Sequence, residues 1–212
     1  MILNKLKSDI NNHHVYYTLQ CLNNEISYDL NHSIGHKLTL SYSQNIYCVN
    51  CGKKTKKSFM NGFCYTCFIS SPLTSPCILK PELCRAHHQE GRDIEWETKH
   101  HNQPHVVYLA FTSHIKVGVT RLTQIPTRWV DQGATKTIII ANTPNRYLAG
   151  CIEVYLKEFF SDKTAWQAML KQSNSPSICM DSVKQEAIGY LSPDYLDYID
   201  DRSCEQIFYY PI

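Results

Sequence analysis

Four cysteines in two short pairs are the residues whose spacing points most clearly to a chemistry. Each pair has the form CxxC, twelve residues separate the two pairs, and the four candidate ligands are Cys48, Cys51, Cys64 and Cys67. Two facing CxxC pairs supply four thiolates at the corners of a tetrahedron, which is how zinc ribbons hold a structural ion. Four free buried thiols fit this spacing poorly. The spacing therefore predicts a structural zinc site of the ribbon type.

A second set of candidate metal ligands follows the two CxxC pairs. We assign it to two cysteines and two histidines, Cys77, Cys84, His87 and His101. The fourth ligand stays open, because His100 and His105 lie beside His101 in the sequence. The alternative is that these histidines are surface residues of a polar linker. The sequence thus predicts one or two structural zinc ions.

Four lysines lie between the two CxxC pairs, and they are Lys53, Lys54, Lys56 and Lys57. Basic loops of zinc ribbons often contact the phosphates of nucleic acids. A solvated charged loop is the alternative interpretation. We therefore treat these lysines as candidate nucleic-acid contacts.

The remaining candidates for chemistry lie between residues 105 and 172, and they are Tyr108, Lys116, Arg121, Arg128 and Glu153. On a helical wheel Glu153 lies at the edge of an apolar face, where a half-buried carboxylate needs a partner cation or a metal ion. A boundary glutamate that points to water is the alternative. The sequence contains no phosphate-binding loop, HExxH or GxSxG motif.

The elements that must position these residues follow from hydrophobic periodicity. Alternating apolar and polar residues predict strands of a small N-terminal β module, residues 1–46, at 15–22, 26–30 and 38–42. Residues 47–104 have little periodicity and hold six of the ten cysteines. We expect bound metal to replace an apolar core in this zinc-binding segment.

The third predicted unit, residues 105–172, combines strands with helices. Its expected strands lie at 106–111, 115–119 and 137–141. Its expected helices lie at 127–132, from 148 to a break at 162–164, and in a short stretch that ends at 170. Residues 173–212 are a C-terminal extension with a helix near 181–191 and an aromatic end. The chain is therefore predicted to belong to the α+β class.

Four short motifs in this third unit resemble those of the GIY-YIG nuclease superfamily. They are Val107-Tyr108-Leu109, Lys116-Val117-Gly118, Arg128-Trp129 and Glu153. Tyr108 matches the tyrosine of the first motif, Gly118 the glycine of the second, and Lys116 stands where the second tyrosine would be. The resemblance implies a three-stranded antiparallel sheet flanked by helices.

The chain from residue 48 to residue 170 resembles still more closely a bacterial family of unknown function. The matching stretches are CILKPELC at 77–84, PHVVYLA at 104–110, KVGVTR at 116–121, QIPTRW at 124–129, DQGA at 131–134 and DKTAW at 162–166. Members of that family continue past the present C-terminus with a β-rich segment. The resemblance therefore implies that the extension at 173–212 is truncated.

The superfamily resemblance also implies a mechanism. One Mg²⁺ or Mn²⁺ ion is expected on Glu153, where it would polarise the scissile phosphate. Tyr108 would position or deprotonate the attacking water, with Lys116 lowering the pKa of the phenol. Arg128 would stabilise charge on the phosphate, and Arg121 is a weaker phosphate contact.

Composition limits the class of protein. The 212 residues are 43% hydrophobic and 19% charged, which suits a folded protein rather than a disordered chain. No apolar run reaches the roughly 20 residues of a membrane span, and the N-terminus lacks the apolar core of a signal peptide. We therefore predict a cytoplasmic protein with no membrane partner. In that reducing compartment ten cysteines favour metal binding over disulfides.

Charge is distributed unevenly along the chain. Residues 181–212 hold seven acidic and two basic residues, which leaves a net charge of +7 on residues 1–180. A basic body suits an anionic partner such as nucleic acid, although an ordinary solvated surface has similar composition. We predict metal-dependent phosphodiester hydrolysis of DNA, with RNA the less favoured substrate. The alternatives are a non-catalytic nucleic-acid-binding module and an adaptor that binds a protein partner.

Overall fold

The computed structural model describes residues 3, 5–21, 26–60, 62–163, 166–171, 178–203 and 205–211. Its described elements form three antiparallel sheets and six α-helices, which places the chain in the mixed α+β class. No helix in these ranges is long and apolar enough to cross a membrane.

The N-terminal sheet has three antiparallel strands, β1 (Lys7–Asn11), β2 (His14–Gln20) and β3 (Ser27–Asp29), in the order β1-β2-β3. Asn12 and His13 join the first two strands, and both have positive φ angles, which is the backbone of a tight type I′ hairpin turn. The sequence did not predict β1, because its polar residues show no apolar alternation.

The strand predicted at 38–42 is wrong. These residues form no regular structure, and Leu38, Leu40 and Tyr42 are 56%, 67% and 70% exposed. Alternation marks a strand only where a neighbouring strand supplies hydrogen bonds and a core covers the apolar face. The described part of the chain provides neither for this stretch.

The middle of the chain is built from short elements. A two-stranded sheet of β4 (Ile46–Tyr47) and β5 (Lys54–Thr55) precedes helix α1 (Tyr65–Ser70). Four 3-10 turns follow at Pro72–Thr74, Pro76–Ile78, Pro81–Leu83 and Ala86–His88. Helix α2 (Ile94–His101) then begins at Asp93, whose carboxylate accepts the Trp96 N–H at 2.9 Å.

The main sheet has four antiparallel strands, and the predicted three-stranded sheet is corrected in this respect. Its strands are β6 (His105–Phe111), β7 (Ile115–Arg121), β8 (Lys136–Thr143) and β9 (Gln206–Ile207), in the order β7-β6-β8-β9. The sequence did not reveal β9, because two residues are too few to show a period. Strand β7 lies at one edge of the sheet.

Four helices accompany this sheet, and all were predicted. They are α3 (Thr127–Asp131), α4 (Arg146–Leu156), α5 (Trp166–Lys171) and α6 (Met180–Tyr190). Helix α4 ends at Leu156, before the break predicted at 162–164. Soon after that end, the Ser161 carbonyl accepts the Val117 N–H at 2.9 Å, so the chain returns to the outer edge of β7.

The main sheet is buried on both faces, as the uninterrupted apolar run in β6 requires. One face packs under α4 and α6, with a core that includes Val107, Leu109, Ile140, Ile152 and Ala187. The other face packs against α3, the N-terminal sheet and the chain end, with a core that includes Val15, Val106, Tyr108, Trp129 and Phe208. The boundaries at 46, 104 and 172 stay a prediction.

Candidate functional site

The two CxxC pairs come together as the spacing predicts. Cys48 and Cys51 follow β4, the turn after them has Gly52 at a φ of +69°, and Cys64 and Cys67 lie at the start of α1. The four sulfur atoms all lie within 4.8 Å of one another, and Cys51 Sγ is 3.9 Å from Cys64 Sγ. A tetrahedral zinc ion with bonds of about 2.3 Å places its sulfur ligands about 3.8 Å apart. This group can therefore bind zinc.

The surroundings of the four cysteines favour a thiolate at Cys48 and a thiol at Cys67, where the Asn50 hydrogen bond acts to lower the pKa but burial and the other three cysteine side chains raise it to about 12. Burial acts to raise the pKa of Cys48, but backbone N–H groups, including those of Cys51 and Cys64, lower it to about 6. The Asn50 side chain donates to Cys67 Sγ at 3.4 Å. Such N–H groups are what a zinc-binding knuckle uses to hold negative sulfur.

The lysines between the two pairs are all exposed. Lys54 lies in β5, and Lys57 Nζ lies 5.3 Å from the centre of the Phe59 ring. Lys53 and Lys56 are exposed on either side of β5. Their charges are thus available to an anionic partner, and their role as nucleic-acid contacts stays a prediction.

Three of the four ligands predicted for a second metal site come together. Ligand atoms of Cys77, Cys84 and His101 lie within 4.8 Å of one another, and Cys77 Sγ is 3.8 Å from His101 Nδ1. All three side chains are buried. His87 is not part of this group, because its ring instead stacks on Tyr147 at 4.7 Å between ring centres.

A cleft of about 390 Å³ lies along the edge strand β7, and we call it the β7 cleft. It is lined from one side by α3 and from the other by α4, α2 and the 3-10 turns between Pro72 and Leu83. Its charged lining consists of Lys116, Arg121, Arg128, Arg146, Glu153 and Asp162. Because four of these side chains are basic and two are acidic, the cleft favours an anionic ligand.

Helix α4 supplies the most buried acid of the cleft. Glu153 is 8% exposed, and its Oε2 lies 3.4 Å from Lys157 Nζ one turn later. Burial raises the pKa of Glu153, while the Lys157 ammonium acts in the opposite direction. Lys157 also lies 3.5 Å from Asp162, so the three charges form a chain along the cleft wall.

Lys116 is the most buried cation of the cleft, at 4% exposure. Burial, followed by the positive charge of Arg128, lowers its pKa to about 8. The carboxylates of Asp162 and Glu153 oppose this shift. Near neutral pH this amine is thus close to the point at which it can take up or release a proton.

Tyr108 lies beneath the cleft rather than in its lining. It is fully buried, and it pairs with Gly118 across β6 and β7. A Cβ atom at Gly118 would lie 2.8 Å from the Tyr108 hydroxyl oxygen, so only glycine leaves room for the phenol. Burial raises the pKa of Tyr108 to about 12, against the opposing charge of Arg128.

Arg146 and Asp162 are cleft residues that the sequence did not identify. The Arg146 guanidinium is half-buried and donates to the carbonyls of Cys77 and Ile78, both at 3.0 Å. No motif near Arg146 in the sequence indicates this role, because its partners lie nearly seventy residues away. Asp162 begins the DKTAW motif, which was a signal in the sequence, but its position at the cleft depends on the turn after α4.

The described fold and these sites define a mixed α+β protein with a cysteine cluster that can bind zinc. A family model described as "Protein of unknown function (DUF2797)" matches residues 35–212, and the chain belongs to this family. The predicted membership of an uncharacterised family is thereby confirmed. No curated protein and no solved structure gives a significant match to the chain.

Proposed function

We propose that this protein hydrolyses phosphodiester bonds of nucleic acid, DNA rather than RNA, in the β7 cleft. The observation that carries the proposal is the buried carboxylate of Glu153 in the same cleft as four cations, Lys116, Arg121, Arg128 and Arg146. An anionic phosphodiester is attracted by the cations, while the acid marks where a divalent metal ion is held.

The acids of the cleft suit a hard divalent ion. Mg²⁺ is usually bound by one or two carboxylates together with waters and substrate phosphates, and Glu153 and Asp162 both line the cleft. When bound there, Mg²⁺ or Mn²⁺ would supply Lewis-acid polarisation of a phosphate oxygen.

The chain's own residues account for binding and proton transfer. Arg128 is exposed at the cleft, and its planar guanidinium can pair with two phosphate oxygens at once, with Arg121 beside it. Lys116, with a pKa of about 8, can accept a proton from the attacking water near neutral pH. Tyr108 suits this task poorly, since its phenol is buried and has a pKa of about 12.

We further propose that residues 105–172 form a GIY-YIG-like domain. The antiparallel order β7-β6-β8 and the direct pairing of Tyr108 with Gly118 support this proposal. In this domain Lys116 occupies the position of the second tyrosine and would be the proton acceptor. The strand order and the pairing of Tyr108 with Gly118 stay the same. A zinc ion on the four CxxC cysteines would be structural, and the lysines between them would contact the phosphate backbone.

The proposal is tested by cleavage of supercoiled plasmid DNA and of a structured RNA with Mg²⁺ or Mn²⁺. Glu153→Gln removes the buried charge at nearly constant shape, and Glu158→Gln is the matched control, since Glu158 is exposed on the turn after α4 and outside the cleft lining. We expect the native chain and the control to cleave and Glu153→Gln not to. Equal cleavage by all three proteins would refute the role of Glu153.

A second candidate function is nucleic-acid binding without cleavage. It is favoured by Tyr108, whose complete burial removes from the cleft the side chain on which GIY-YIG chemistry depends. In that case the native chain and Glu153→Gln would bind plasmid equally well and neither would cleave it. Absence of both binding and cleavage would instead favour the protein-interaction alternative.

A further inference from the structure

Glu97 is a buried acid that the proposed function does not use. It lies on α2 one turn before His101, and the i, i+4 spacing places both side chains on the same face of the helix. Both side chains are 3% exposed, and Glu97 Oε2 lies 3.8 Å from His101 Nδ1. A carboxylate this deep in a protein needs a cation or a full set of hydrogen bonds.

The surroundings of Glu97 hold its carboxylate in one orientation. Oε1 accepts the backbone N–H of Arg92 at 2.9 Å, which leaves Oε2 turned toward His101. A Cβ atom at Gly91 would lie 2.5 Å from the carboxylate carbon, so the absence of a side chain at Gly91 makes room for the acid. Among the described residues, His101 alone brings a basic side-chain nitrogen within 4.0 Å of Glu97.

The same His101 nitrogen also faces the cysteines. Its Nδ1 lies 3.8 Å from Cys77 Sγ and 3.8 Å from Glu97 Oε2. In a tetrahedral zinc site the ligand atoms lie about 3.6 Å apart for nitrogen and sulfur and about 3.4 Å apart for nitrogen and oxygen. The two separations from His101 Nδ1 exceed these values by a few tenths of an ångström. Glu97 lies outside the group whose ligand atoms are all within 4.8 Å of one another, so binding a metal ion would have to draw Oε2 about 1 Å or more toward at least one of the two thiolates.

We propose that Cys77, Cys84, His101 and Glu97 form a second zinc site, in which Glu97 is the fourth ligand. Two thiolates and one carboxylate leave a net charge of −1 around a Zn²⁺ ion. The Arg146 guanidinium offsets this charge, since it donates to the carbonyls of Cys77 and Ile78. The inference does not depend on the proposed hydrolysis, because its readout is the metal.

The site would explain how the 3-10 turns between Pro72 and His88 hold a defined shape. Their buried residues are all small, namely Thr74, Ser75, Cys77, Pro81, Cys84 and Ala86, and such groups supply little apolar stabilisation. A metal ion joining these turns to α2 would replace the missing core. The same turns and α2 form a wall of the β7 cleft, so the second zinc would also fix the shape of that wall.

Two histidines are the rival fourth ligands. His87 Nδ1 and His105 Nε2 are both buried, and neither has a hydrogen-bond partner among the described residues. The other nitrogen of His105, Nδ1, donates to the Gln103 carbonyl at 2.7 Å. Variants at these positions therefore belong in the test.

The test measures zinc per chain and its release to a chelator, for the full-length native protein and for Glu97→Gln. Glu95→Gln is the matched control, because Glu95 is exposed on the same helix. We expect two zinc ions per native chain. Loss of a group that only orients a metal ligand typically lowers metal affinity by roughly 10- to 100-fold. In Glu97→Gln the affinity of the second site for zinc should fall by more than this. The retained first zinc reports that the variant is folded.

A cobalt experiment separates a ligand from a residue that only orients His101. Glu97→Cys is expected to bind two Co²⁺ ions with stronger thiolate-to-metal charge-transfer absorption than the native chain, since the second site gains a third thiolate. Unchanged absorption in Glu97→Cys would overturn the proposal. It would equally be overturned if Glu97→Gln kept both zinc ions at native affinity, or if His87→Ala or His105→Ala released the second zinc while Glu97→Gln did not.

Discussion

At the scale of single residues, the β7 cleft is defined by charged groups placed where the protein would otherwise be apolar. Lys116 and Glu153 are 4% and 8% exposed. Nearby opposite charges stabilise the charged form of each side chain. Burial favours the neutral form of each group, since it lowers the pKa of Lys116 and raises the pKa of Glu153. Such shifts cluster at functional sites, and they also make protein stability depend on pH.

The buried lysine gives a prediction with a defined sign. Lys116 has a pKa of about 8 in the folded chain and about 10.5 when unfolded, so between these values the unfolded state binds more protons and stability rises with pH. Relative to Lys116→Met, the native chain should gain on the order of 2 kcal/mol in unfolding free energy between pH 7.5 and pH 10.5. Urea unfolding at several pH values measures this. A difference that stays constant with pH would contradict the assigned pKa.

The close contact between Gly118 and Tyr108 gives a second prediction at this scale. Gly118→Ala places a methyl group against a phenol that is fully buried and cannot move aside, so we expect a loss of about 1–3 kcal/mol in unfolding free energy. The control is Gly189→Ala in α6, where a Cβ meets nothing within 4 Å. There the higher helix propensity of alanine should leave stability unchanged or raise it by up to about 1 kcal/mol.

At the scale of elements, the middle of the chain depends on ligands more than on packing. The β4–β5 hairpin and α1 share a small cluster, and the buried apolar residues described there are Cys48, Phe63 and Cys67. In contrast, all seven residues of β6 are buried between two cores. The two regions should therefore respond very differently to loss of metal.

Chelation of zinc should unfold the first of these regions and spare the second. We expect strong chelators to increase amide hydrogen exchange across residues 46–70, because the four-cysteine site replaces a core there, while β6 stays protected. Exchange measured by mass spectrometry with and without chelator is the test, and Cys51→Ser should reproduce the effect without chelator. Uniform protection after complete zinc removal would show that the ribbon folds on its own packing.

At the scale of the whole molecule, basic charge is gathered in the β7 cleft and on the loop between the CxxC pairs, while the acidic residues concentrate after residue 180. Nucleic-acid affinity should then fall steeply with salt, since each phosphate contacted releases counterions. In a logarithmic plot of affinity against salt, Arg128→Ala is expected to flatten the slope by about 0.9. Lys7→Ala, an exposed lysine of β1 outside the cleft, should leave the slope unchanged. Salt-independent binding would point to an apolar interface instead.

Features that are determined by residues close together in the sequence could be predicted from it. The CxxC pairs carry their own geometry, because two residues between cysteines fix both sulfur atoms on one turn, and this site came together as expected. Strands β6, β7 and β8 and helix α4 were likewise marked by their own periodicity. The stretch at 38–42 shows the limit, since alternation cannot report whether a partner strand exists.

Features that depend on distant segments could not be predicted. Arg146 is held by the carbonyls of the 3-10 turns, and Glu97 is held by the backbone N–H of Arg92 just before α2. No spacing in the sequence links either residue to Cys77. His87 had a favourable spacing after Cys84, yet its ring packs on Tyr147. For Tyr108 the motif identified the strand and its partner glycine, but its complete burial follows only from the packing of α3.

The most direct test of the proposed function measures binding and cleavage of the same plasmid DNA by the native chain, Glu153→Gln and Glu158→Gln. Because the cations of the cleft are untouched, Glu153→Gln should bind plasmid within about threefold of the native affinity. Loss of the metal-holding carboxylate should slow its cleavage by about 100-fold or more. Cleavage by Glu153→Gln at the native rate, or a native chain that binds without cleaving, would contradict phosphodiester hydrolysis at this cleft.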